Sequence, residues 1–145
     1  MDLNFNESHK RFNKDKSSIK MYYKAWRCNE IKKQFECKND SFDFVIGCRP
    51  DRIIVFKSQF IDIELKDKEL EDKELFHIQT EYEGHLDDTF RLSNSKTSDI
   101  VSSIFSKTIQ YPNDWQGNHK EHFLFCRNLN FKLYPINYFI KFQNL

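Results

Sequence analysis

The chain has 145 residues, 39% of them hydrophobic and 16% aromatic, and a formal charge of +1 at neutral pH. This length fits one domain with a true core, and so much apolar and aromatic mass excludes intrinsic disorder. Near-balanced charge excludes the broadly basic surface of a DNA-coating protein, so any contact with nucleic acid has to come from a local basic patch.

Residues 1 to 18 are polar and lack sustained periodicity, which predicts a flexible N-terminal arm, with residues 19 to 145 forming one compact domain. The arm, MDLNFNESHKRFNKDK, has no apolar stretch of the signal-peptide kind, and no run in the chain approaches the roughly 20 apolar residues of a bilayer span. The four cysteines, Cys28, Cys37, Cys48 and Cys126, are therefore expected as reduced thiols in a cytoplasmic or nuclear protein.

The segment from 18 to 39 carries two patterns. Ile19, Tyr22, Tyr23 and Trp26 share one helical face, whereas Ile19, Met21, Tyr23 and Ala25 alternate as in a strand; helix through Phe35 is the preferred reading. FDFVIG (42 to 47) predicts a strand from its β-branched and aromatic content, and CRPD a turn, because Pro50 has no amide hydrogen for a ladder. RIIVF (52 to 56) and FIDIELK (60 to 66) read as a hairpin, the second arm with Ile61, Ile63 and Leu65 on one face and Asp62, Glu64 and Lys66 on the other. DKELEDKEL predicts a charged loop or short helix, and LFHIQTEY (75 to 82) another strand, ending before Gly84.

SDIVSSIFSKTI (98 to 109) is the clearest helix, with Ser98 as its cap and a stripe of Ile100, Val101, Ile104, Phe105 and Ile109. HFLFCRN, NFKLY and NYFIKF complete a final strand group, with Pro135 at the turn between the last two. The expected fold is α+β: a curved, mostly antiparallel sheet of about six or seven strands packed by one or two helices.

Pro50, Asp51, Glu64 and Lys66 carry a possible chemistry. Two carboxylates on neighbouring strands can hold a hard divalent cation, and a lysine two residues beyond the second carboxylate shares its strand face and can position water or offset phosphate charge. These residues resemble the PD-(D/E)xK nuclease superfamily, with Pro50-Asp51 matching the first half of its motif and Glu64-x-Lys66 the second. The resemblance implies Asp51 and Glu64 as ligands of Mg²⁺ or Mn²⁺ and Lys66 as the water-positioning group. Without it, Asp51 is a turn residue, and Glu64 and Lys66 are the solvated face of an edge strand.

Aromatic residues also interleave with basic ones. Lys20, Tyr22, Lys24 and Arg27 in KMYYKAWR, and Lys132, Tyr134 and Lys141 in NFKLYPINYFIKF, have the composition of a surface that stacks bases beside cations. The alternative place for such rings is the core. His119, His122 and Cys126 have a spacing that can supply three zinc ligands, with Cys28, Cys37 or Cys48 as the fourth; the competing role of Cys126 is as a small buried residue.

Three functions follow from these patterns. One is a noncatalytic nucleic-acid-associated domain working in a larger complex, which needs no cofactor. The second is a protein-binding module such as an inhibitor, an immunity-type protein or an assembly subunit. The third is a Mg²⁺-dependent nuclease. The partner is nucleic acid or protein.

Overall fold

The structure, a computed structural model, describes residues 16–49, 52–56, 69–78, 83–110, 118–136 and 138–142, with side chains over 20–49, 69–78, 83–107 and 119–136. Their elements, in chain order, are α1 (Lys16–Glu36), β1 (Val45–Cys48), β2 (Arg52–Phe56), β3 (Glu74–Ile78), β4 (Phe90–Ser93), α2 (Ser95–Ser102), α3 (Ile104–Gln110), α4 (Asn118–Asn128), β5 (Lys132–Ile136) and β6 (Tyr138–Phe142).

Four strands make one mixed sheet in the order β1-β4-β3-β5, antiparallel except for the parallel pair β3–β5. The strands β2 and β6 pair antiparallel as a separate ribbon, Arg52 opposite Phe142 and Phe56 opposite Tyr138. The α+β composition holds, but the expected single curved sheet of six or seven mostly antiparallel strands with one or two helices does not. Among the described residues the sheet has four strands in one open layer, and the helices outnumber those expected.

The main reason is HFLFCRN, which is helix α4 rather than a strand. A short apolar run does not by itself distinguish a strand from a buried helix. Here His122 and Cys126, one helical turn apart, are the buried pair, while Glu121 in the first turn and Arg127 in the last match the helix dipole. Asn130 ends the helix with a left-handed φ of 57°. Phe131 N–H then donates to Cys126 O and Asn130 N–H to Arg127 O, both at 3.0 Å, the pairing of a Schellman cap.

The expected helix at 98 to 109 is two helices. The cap is Asn94, not Ser98: its side chain accepts from Thr97 N–H at 2.8 Å. The break falls at Ser103, whose hydroxyl donates to Ile100 O at 2.7 Å, local competition that serine offers a helix. The apolar stripe divides at the break. Val101 packs with Leu75, Leu86, Cys126 and Phe131 over the sheet, whereas Ile104 and Phe105 pack with Tyr22 of α1.

β3 is buried along its whole length because β4 and β5 flank it and both faces are covered. Leu75 belongs to the helix-side core. Phe76 and Ile78, pointing the other way, pack with Leu70, Phe90, Leu92 and Ile136. Pro135 does not mark a turn; it lies inside β5 opposite His77. Among the described residues β5 has β3 as its single neighbour, which suits a residue that cannot donate to a second ladder. β2 pairs with β6, and the expected hairpin arm at 60 to 66 lies outside the described residues.

Asn94 has two further bonds, from its amide to Leu70 O at 3.0 Å and Asp72 Oδ1 at 3.2 Å. It therefore ties the start of α2 to the chain entering β3. Asn94→Ala should lower unfolding stability by about 1–2 kcal/mol in urea titration; an unchanged midpoint would show that the cap contributes nothing.

Candidate functional site

The segment between the end of α1 and the start of β1 brings Phe42 and Phe44 to the rim of a cleft of about 620 Å³. One wall is α1, with Met21, Lys24 and Ala25; another is β1, with Val45 and Gly47, and Arg49 just after it; Arg91 of β4 and His122 of α4 also line the cleft. The sheet register places Gly47 opposite Arg91. The arginine lies along the glycine: a Cβ at 47 would be in ordinary van der Waals contact with it, 3.6 Å from Nε and 3.7 Å from one terminal nitrogen.

Arg91 makes an unusual contact for a cation inside a fold. Its guanidinium donates to His122 Nε2 at 3.3 Å, and among the described residues it has no ion pair. Burial weighs against its charge, yet a guanidinium stays protonated. His122, 2% exposed, is held well below the ordinary imidazole pKa by burial first, and then by the charges of Arg91 and His119. It is neutral, so Nε2 accepts from Arg91 and the proton resides on Nδ1, which has no partner among the described residues. The ring of Tyr22 meets the imidazole edge-on at 4.7 Å.

At the Asp88 side of the cleft is a group with metal-ligand chemistry. Asp87, Asp88 and His119 bring one donor atom each within 4.8 Å of one another. The loop carrying the aspartates is pinned on both sides. Leu86 N–H donates to His119 O at 2.9 Å, and Thr89 N–H to Asp87 Oδ1 at 2.6 Å, a local turn of the Asx kind. Asp88, with its side chain 5% exposed, points Oδ2 at Arg49 Nη1 (3.4 Å) and Oδ1 at His119 Nε2 (4.0 Å).

This group is consistent with the PD-(D/E)xK-like signature in kind, being a donor set for a divalent cation, but it uses other residues. At bonds of about 2.1 Å, neighbouring ligands of one ion lie about 3–3.6 Å apart, so the three side chains would draw in by about an ångström to close the cluster on an ion. Two carboxylates and an imidazole favour Mn²⁺ or Zn²⁺ over the all-oxygen shell that Mg²⁺ prefers.

Asp51, Glu64 and Lys66 lie outside the described residues. The zinc set does not assemble: Cys126 is fully buried, burial pushing its thiol up to about 12, and His122 is committed to Arg91. Of the expected nucleic-acid contacts, Lys20, Lys24 and Arg27 are exposed along α1. Tyr22 is not available to stack a base, since it is 1% exposed and packs against Ile104 and Phe105. Lys132 pairs with Glu71 at 2.7 Å. Tyr134 stacks on Phe76 with centroids 4.9 Å apart, and its hydroxyl donates to Glu74 at 3.0 Å. The side chain of Lys141 is outside the described residues.

Sequence reasoning missed β4 and with it Asp87, Asp88 and Arg91. The signal was the stretch DDTFRLS, where Phe90 and Leu92 alternate around Arg91 as strand residues do. No family model matches the chain, and neither does any curated protein or solved structure. Among the described residues no helix is long and apolar enough to cross a membrane.

The rim is held by Glu36 at the end of α1. Its carboxylate accepts from Lys32 at 2.7 Å, from the Ser95 hydroxyl at 2.6 Å and from Phe42 N–H at 2.9 Å. Burial by itself would raise this carboxyl, but those hydrogen bonds and the Lys32 charge bring it down to about 2. The folded value is below the unfolded one, so its stabilisation is present above pH 4.5 and is lost as pH falls from there through about 2. Glu36→Gln should cost about 1–3 kcal/mol at pH 7, with the gap between the proteins closing toward pH 2 in acid-dependent urea melts. A gap that is constant with pH would contradict the assignment.

Proposed function

We propose that this chain is a nucleic-acid-associated protein acting as a divalent-metal-dependent phosphodiesterase of nuclease type. The observation that carries the reading is that Asp88 belongs both to the Asp87–Asp88–His119 donor group and to the wall of the cleft lined by Arg49 and Arg91. A cation site and guanidinium groups around one concave space are what phosphodiester hydrolysis needs.

A divalent ion bound there would polarise a phosphate oxygen and make a water molecule easier to deprotonate. The chain supplies the rest. Asp87 and Asp88 offer carboxylate donors from one short loop, and His119 offers the imidazole from the start of α4. Arg49 now pairs with Asp88; with that carboxylate on an ion, its guanidinium would be a phosphate donor beside the site. Lys20, Lys24 and Arg27 extend positive charge along the exposed face of α1, where a nucleic-acid backbone can be tracked. Asp51, Glu64 and Lys66 are the competing assignment for the same chemistry.

Mn²⁺ titrated into the protein should bind at one site and support cleavage of a labelled oligonucleotide. Asp88→Asn and His119→Ala should each weaken ion binding and lower cleavage by about 100-fold or more, while the circular dichroism spectrum is retained. Equal activity in both variants, with loss in Asp51→Ala, would move the site to the competing residues; no binding of Mn²⁺, Mg²⁺ or Zn²⁺ would end the metal reading.

A second reading has its own support. Ile31, Phe35, Phe42, Phe44 and Ile46 are between 42% and 56% exposed, and Phe35 stacks on Phe42 with centroids 5.3 Å apart. Clustered large apolar side chains on a surface mark a contact with another macromolecule, which fits a protein-binding subunit. Phe35→Ser with Ile46→Ser should release a co-purifying protein held at stoichiometry; retention of that protein would place its contact elsewhere.

A further inference from the structure

We propose that the cleft between α1 and β1 binds a phosphate ester the size of one nucleotide, with the phosphate on Arg91 and the flat apolar part of the ligand against Phe42, Phe44 and Met21. Binding of this ligand stands independently of a metal ion; treating it as the substrate rests on the function proposed above.

The charge of the lining sets the sign of the ligand. Of the charged side chains around the cleft, Lys24, Lys32, Arg49 and Arg91 are cations and Asp88 is the one anion among the described residues. Lys32 is already held by Glu36 and Asp99, and Arg49 by Asp88. Arg91 has the neutral His122 ring as its hydrogen-bond partner and no ion pair among the described residues, the Asp88 carboxylate acting on it only from a distance. A partly buried cation with no paired counter-charge is costly, and an anion entering the cleft lowers that cost. The planar donor fork of an arginine suits two phosphate oxygens at once, and the surplus of cations favours a dianionic phosphate monoester over a carboxylate.

The shape sets the size. The volume of about 620 Å³ lies within the about 300–1,000 Å³ usual for small-molecule sites. Arg91 lies against Gly47 of the cleft wall, so a phosphate must enter the cleft to reach it. The phosphates of a duplex lie on a rigid cylinder and cannot enter, whereas a free nucleotide or the end of a single strand can. The rings at the rim give a base an apolar surface to stack on, which is tolerant of base identity.

The test is calorimetric titration in EDTA with nucleoside 5′-monophosphates, the matching nucleosides without phosphate, and benzoate as an aromatic carboxylate. The monophosphate is expected to bind about tenfold more tightly than the nucleoside or benzoate. Arg91→Met should lose about tenfold in affinity for the monophosphate while leaving the nucleoside unaffected. If Arg91→Met does not fold, Lys24→Glu, at an exposed position on the cleft wall, should weaken monophosphate binding by about fivefold instead. Equal affinity for nucleoside and monophosphate, preference for benzoate, or unchanged binding in the variants would overturn the proposal. Because no metal is present, failure here leaves cleavage by the Asp87–Asp88–His119 group a separate result. Absence of Mn²⁺-dependent cleavage by the unaltered protein, with nucleotide binding retained, would instead sink the metal reading alone.

Discussion

A guanidinium hydrogen-bonded to a neutral imidazole is the contact around which this molecule is arranged. Arg91 reaches it from the middle of a strand, across a glycine in the neighbouring strand, and His122 reaches it from a helix packed on the same face. The imidazole stays neutral because it is buried next to a permanent cation, and in that state it can accept the hydrogen bond but cannot neutralise the charge. β1, β4 and α4 all line the cleft at this pair, through Gly47, Arg91 and His122.

The surrounding polar groups follow a different rule. Lys32 is matched by Glu36 and Asp99, and Asn29 bonds both Asp99 at 2.7 Å and the Ser98 hydroxyl at 3.2 Å. Satisfied networks of this kind rigidify a fold, and here they fasten α1 to α2 along one side of the cleft. Charge is therefore paired where the helices are joined, while Arg91 has no ion pair among the described residues. Local violations of polar pairing are where function is expected, and the loop carrying Asp87 and Asp88, tied by its backbone to His119, adjoins that same place.

Single elements were legible along the chain, but the architecture and the site were not. The apolar face of KMYYKAWR predicted the helix whose Tyr22 enters the core, and FHI was visible as a strand. HFLFC misled because a run of apolar residues has no period short enough to separate a strand from a buried helix turn; the deciding sign was Asn130, a residue tolerant of left-handed backbone placed where a helix must end. Parallel pairing of β3 with β5, and the placing of β2 against β6, depend on contacts between distant segments that no local pattern encodes. The cation site was hidden for the same reason. DD before a strand is unremarkable until the Leu86–His119 backbone bond brings an imidazole beside it, and Arg91 reads as one more charged residue until the strand is known to be inside.

The most direct test of the account is a crystal structure of the protein grown with Mn²⁺ and a non-hydrolysable phosphorothioate dinucleotide, with the ion located by anomalous scattering. The account predicts an anomalous peak bounded by Asp87, Asp88 and His119 and a phosphorothioate group seated on Arg91 in the same cleft. A peak ligated by Asp51 and Glu64, or an empty cleft with the dinucleotide bound on an outer surface, would contradict it.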